Sequence, residues 1–136
     1  MMHNIDMHCD TVMKAILTEW RGGEKGDLFR MPRKSDFEGM TPEEIKADPR
    51  RGGCTIDVVR LAKAETMAQC FGVFLMSEPG KIRSGFDMPD LEYIERGTAL
   101  VNKVCSEHSD VVAHAYDPEA TIKLSGFGYI KNSLTA

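Results

Sequence analysis

His8 and Asp10 stand two residues apart in NIDMHCDT, Asn4 to Thr11, where an apolar–polar alternation runs into a His, a Cys and an Asp. In an extended chain, residues two apart point to the same face. An imidazole and a carboxylate therefore aim into one space, while Cys9 turns away. One nitrogen and one oxygen donor side by side suit zinc or a similar divalent ion. The pair also has a plainer use. An Asp in front of a helix commonly caps it, and His8 is then a strand-end histidine with its hydrogen bonds satisfied. For a bare His-x-Asp the plainer use is the commoner one, and spacing leaves both open.

Several elements must position this pair. Ile5 to His8 reads as a short strand, and Thr11 to Trp20 as a helix with Val12, Ala15, Ile16 and Leu17 near one face, stopped by Gly22-Gly23. Residues 24–54 are polar and broken by Gly and Pro, so they read as a long connection. Within it TPEE, Thr41 to Glu44, is a capping box that supports one short helix over about 42–47. Thr55 to Glu65 resumes a helical period. Met67 to Met76 is densely apolar and reads as a buried strand of a parallel sheet covered on both faces. Ser77 to Asp87 is rich in turn residues. Pro89 opens a helix to about Glu107, with Leu91, Ile94, Leu100, Val101, Val104 and Cys105 as its buried stripe. Val111 to Ala115 reads as a strand, Asp117 to about Leu124 as a helix, and Tyr129 to Thr135 as a fourth strand. This alternation predicts an α/β fold with a parallel sheet.

The totals narrow the function classes. A chain of 136 residues, 42% hydrophobic and 28% charged, suits one globular domain. Net charge is −4 and the pI is near 5.6, which gives no basic footprint for nucleic acid or an anionic membrane. The longest apolar run falls far below a membrane span. Met1 to Asn4 lacks a secretory signal's pattern, and Asp6 interrupts it. Cys9, Cys54, Cys70 and Cys105 form no Cys-x-x-Cys motif. Scattered thiols of this kind are expected to be reduced and mostly buried, and the expected location is cytoplasmic.

IDMHCDT, Ile5 to Thr11, resembles the opening motif of the membrane dipeptidase (renal dipeptidase-like) family of metallopeptidases, a strand of pattern (I/V)DxHxD(T/L). TIDVVRLAKAETMAQCFGVFLMS, Thr55 to Ser77, is similar to that family's next helix and second strand, with Gln69 and Phe71 at matching positions. The helix from Pro89 and SDVVAHAYDPEATIKLSG, Ser109 to Gly126, resemble the helix and strand that come after these in the family. The resemblance implies a (β/α)8 barrel holding two zinc ions and cleaving dipeptides. It makes His8 and Asp10 first-strand ligands of one zinc. In the family a later Glu bridges both metals and two further His bind the second. The metals activate water for attack on the scissile carbonyl and stabilise the oxyanion.

The chain departs from the family in three ways. The bridging Glu normally sits in an (I/V)EGG motif, yet here the chain reads GFGYIKNSLTA with no Glu. The two later His have no counterpart, and a Gly pair of the family is Ala64-Glu65. Such a barrel needs about 250 residues. The expectation is therefore a single partial domain, residues 1–136. It would be the truncated N-terminal half of a TIM-like (β/α)8 metal-dependent hydrolase, with three to four βα units, inactive as it stands and exposing barrel edges open to homo-oligomerisation. Two other classes fit: a non-catalytic α/β module that works as an oligomer or with a partner, and another His-x-Asp hydrolase of the amidohydrolase type.

Other residues carry plainer expectations. His114 is a strand histidine that a third-ligand role requires to face His8. His3 and His108 read as exposed. Glu119 suits the first turn of a helix. Trp20 reads as a helix-end anchor, with a place in a substrate pocket as the alternative. The nine methionines read as soft core packing, and DMPDLEYIE as a helix start with a solvated face.

Overall fold

A computed structural model describes residues 4–54, 56–115 and 133–135. Strand β1, Asn4–Cys9, leads into helix α1, Thr11–Trp20, and Gly22 turns the chain away at φ +85°. The next connection holds a 3-10 turn, Lys34–Phe37, and helix α2, Pro42–Ala47. The TPEE capping box forms as expected. Thr41 Oγ1 accepts from the Glu44 N–H at 3.3 Å, and the Glu44 carboxylate accepts from the Thr41 N–H at 2.7 Å.

Helix α3 is shorter than expected, Val58–Lys63. Its start is set by Asp57, which is fully buried. The Asp57 carboxylate accepts from Arg60 N–H at 2.8 Å, which caps the helix, and from Met31 N–H at 3.0 Å, which ties down the long connection. Arg60 completes the tie by donating to the carbonyls of Met31, at 3.1 Å, and Cys54.

Strand β2, Thr66–Phe71, ends five residues before the expected limit at Met76. Its parallel partner β1 stops at Cys9, opposite Phe71. Beyond that point Phe74 and Leu75 are 41% and 46% exposed, so the apolar run is no continuous buried strand. The next segment, expected to be turns, contains helix α4, Glu78–Ser84. Ser77 Oγ caps it by accepting from Gly80 N–H at 3.3 Å, and Gly85 ends it in the left-handed region at φ +68°.

Helix α5, Asp90–Glu107, comes after Pro89 as expected, and Leu100, Val101 and Val104 of its expected stripe are buried with Cys105 partly so, but the stripe begins at Tyr93 and Gly97. Leu91 and Ile94 are exposed instead. Gly97 sets this orientation, since a Cβ there would lie 2.9 Å from Val73 Cγ1 and 3.1 Å from Val12 Cγ1. The helix turns its smallest residue to the closest approach, and an Arg96–Glu19 ion pair links α5 to α1. Strand β3, Ala113–Ala115, and strand β4, Ser133–Thr135, complete one four-stranded sheet. The expected helix 117–124 lies outside the described residues, as do the earlier residues of the expected fourth strand.

All three strand pairings are parallel, as expected for an α/β fold. The order is β1-β2-β4-β3. A barrel wound from successive βα units has β3 beside β2, but here β4 occupies that place. The core includes Val12, Ile16, Leu28, Val58 and Val112, all buried to within 1%.

Candidate functional site

The carboxyl end of β1 opens into a cleft of about 700 Å³. In open parallel sheets and barrels alike, ligands bind beyond the carboxyl ends of the strands. His8, Cys9, Asp10 and Thr11 form one side, where the strand passes into α1. The opposite side comes from the long connection: Lys34 and Phe37 of the 3-10 turn, Ile45 of α2, and the Gly52–Cys54 loop.

His8 and Asp10 point to the same space, as their spacing predicts. His8 Nε2 and Asp10 Oδ1 are 2.8 Å apart, and both side chains are about half exposed, 63% and 49%. The capping alternative for Asp10 is not realised. Asp10 stands at the N-cap position of α1, but its side chain makes no capping hydrogen bond and turns to His8 instead. Gly72, just past β2, makes room for the imidazole. A Cβ there would lie 2.7 Å from His8 Cε1, while the Gly72 N–H donates to the Cys9 carbonyl at 3.0 Å. Sequence alone does not single out Gly72, because an isolated Gly in an apolar run reads as a strand irregularity.

Beneath the pair, Thr11 is buried and donates to the Ile56 carbonyl at 3.0 Å. Its hydroxyl also lies 3.5 Å from Cys9 Sγ and 3.6 Å from Cys54 Sγ. Cys54 Sγ donates to the same Ile56 carbonyl at 3.1 Å. All four cysteines are free thiols. Behind Asp10, burial pushes the Tyr93 phenol up to about 12, and the Asp10 charge acts in the same direction. Tyr93 therefore stays a neutral phenol at any physiological pH.

The donor chemistry of His8 and Asp10 fits one edge of a zinc site, and an ion would have to displace their mutual hydrogen bond. Zinc ordinarily takes three or four protein ligands. No group of three or more His, Cys, Asp or Glu side chains placed to hold a metal occurs among the described residues.

The remaining candidates fall elsewhere. His114 lies in β3, at the opposite end of the sheet order from β1, and does not line the cleft. His108, expected to be exposed, is half-buried and stacks on Phe29 with ring centroids 3.5 Å apart. Trp20 is the helix-end anchor: its indole donates to Asp87 at 3.1 Å and meets Phe86 edge-on at 5.3 Å. His3 and Glu119 lie outside the described residues. No helix among the described residues is long and apolar enough to cross a membrane. Compared with protein-family models, with curated proteins and with solved structures, the chain finds no match in any of the three.

Proposed function

We propose that residues 1–136 supply the first-strand metal ligands of a zinc-dependent dipeptidase of the membrane dipeptidase type, with His8 and Asp10 on one ion. One observation carries the reading: the His8–Asp10 pair, 2.8 Å apart, stands at the carboxyl end of β1 at the mouth of a cleft, with Asp10 diverted from capping α1. The ordered resemblance from Ile5 to Gly126 supports it. Zinc, when bound, supplies Lewis acidity toward a peptide carbonyl and activates water. The chain's own part is to hold the imidazole over Gly72 and to present the Asp10 carboxylate beside it, their mutual hydrogen bond giving way to the ion. In a barrel of this type β3 lies beside β2, so the proposal requires β4 to give up that place when later strands are present.

Zinc titration by calorimetry tests the ligand assignment. Two donors leave the ion half satisfied, so binding to residues 1–136 is expected to be weak. His8→Ala should weaken it by about tenfold or more. Nanomolar binding that ignores His8→Ala would move the site elsewhere.

A second reading has its own observation. Large apolar side chains stand exposed, with Leu91 at 68% and Ile82 at 80%, and Ile94 shares a face of α5 with Leu91. Among the described residues β1 and β3 each pair on one edge. Uncovered edges and apolar faces invite association, which suits a non-catalytic module acting as an oligomer. Sedimentation velocity at micromolar concentration is then expected to find dimers or larger species. A single compact monomer would remove this reading.

A further inference from the structure

Two cations face the cleft without an anion of their own. Lys14, on α1 one turn after Asp10, is half-buried, and Lys34 rises from the 3-10 turn across the opening. Neither makes an ion pair or side-chain hydrogen bond among the described residues. Lys81 and Lys103, by contrast, are each paired with a carboxylate. The contrast matters because acidic residues outnumber basic ones, 21 to 17. A half-buried lysine left unpaired in an acidic chain has its charge available to something else. Gly52, at φ +94°, brings its backbone alongside Lys14: a Cβ there would stand in ordinary contact with Lys14 Nζ, at 3.5 Å.

The other lining groups define the rest of the ligand. Phe37, Ile45 and Ile56 give the cleft apolar walls, and Asp10 is the one carboxylate among the described lining residues. Two lysines against one carboxylate leave a single positive charge, which one negative charge neutralises. A cleft of about 700 Å³ is within the usual size for a small-molecule site. We infer that Lys14, assisted by Lys34, binds the carboxylate of a small organic monoanion whose apolar body lies against Phe37, Ile45 and Ile56. The inference deepens the dipeptidase reading and rests on it for the substrate: the anion is then the C-terminal carboxylate of a dipeptide with an apolar second residue.

The test separates the two claims by leaving metal out. The full chain, with chelator present, is titrated with 4-methylpentanoate, with its neutral amide and with inorganic phosphate, following the backbone amide signals of Gly52 and Gly53. The carboxylate should bind about tenfold or more tightly than the amide, as expected for one poorly screened charge pair. Lys14→Met should bring the two ligands to within about twofold of each other. Lys34→Met should have a smaller effect in the same direction, and Lys103→Met none. His8→Ala should leave the preference intact, so loss of zinc binding and loss of anion binding are read independently. The inference fails if the carboxylate does not saturate, if the amide or phosphate binds as tightly, or if the preference survives Lys14→Met in a protein whose remaining spectrum is unchanged.

Discussion

Asp57→Ala is expected to destabilise the protein by about 3–5 kcal/mol, as for removal of one partner from a buried charged network. Asp57 is fully buried, and its two carboxylate oxygens hold the N–H groups of Arg60 and Met31. Alanine removes the cap of α3 and leaves the Met31 N–H without its acceptor. It also leaves the Arg60 guanidinium, 3.5 Å away, without its carboxylate. Against a total stability of about 5–15 kcal/mol for a domain, such a loss brings the chain close to unfolding at ordinary temperature. Asp57→Asn keeps one acceptor and should fall between. Urea titration followed by circular dichroism reads the difference. A loss below about 1 kcal/mol for Asp57→Ala would mean that water replaces the carboxylate, and that this network is not what holds the long connection in place. Asp57 thus has a structural role of its own, outside any chemistry.

With zinc in excess, residues 1–136 are expected to hydrolyse Gly-Leu no faster than a His8→Ala control. The described residues offer two donors where a catalytic zinc ordinarily has three plus water. The resemblance also implies a bridging Glu and two further His that have no counterpart in residues 1–136. Removing a single transition-state stabilising group costs about 10²–10³ in rate, and here several are missing together. Steady-state release of leucine is the readout. Turnover that disappears in the His8→Ala control would show that the chain assembles a working site by itself, by oligomerising for example, and that the missing ligands are not needed.

Local signals account for the parts of the fold that are legible in the sequence. The pairing of His8 with Asp10 comes from the two-residue period of an extended chain, and α1 and α2 from apolar spacing, glycines and a capping box. Sequence misleads where distant residues decide. Leu91 and Ile94 are more apolar than Gly97, yet Gly97 faces inward because Val73 and Val12 approach there too closely for any side chain. Phe74 and Leu75 belong to an apolar run, yet β2 ends with its partner β1. Ser77-Glu78-Pro79-Gly80 reads as a turn, although the same residues are a good helix start. The far wall of the cleft, from Lys34 to Cys54, has a local signal for α2 but none for where it sits, because its position depends on Asp57 and Arg60. Lys14 and Lys34 cannot be linked by spacing for the same reason.

The position of β4 has a consequence for how the chain reaches this structure. Ser133–Thr135 pair with β2 on one side and with β3 on the other, some sixty and twenty residues back along the chain. During synthesis β1, α1 and β2 can dock as soon as they emerge, but β3 has no neighbour in the sheet until residues 133–135 arrive. Contacts between segments so far apart are slow to form, because loop-closure entropy is lost before any pairing is gained. The nascent chain therefore carries one unpaired edge on β2, and β3 without the β4 neighbour, until residues 133–135 emerge. In that interval it is open to holdase chaperones, and to pairing with another chain in place of β4.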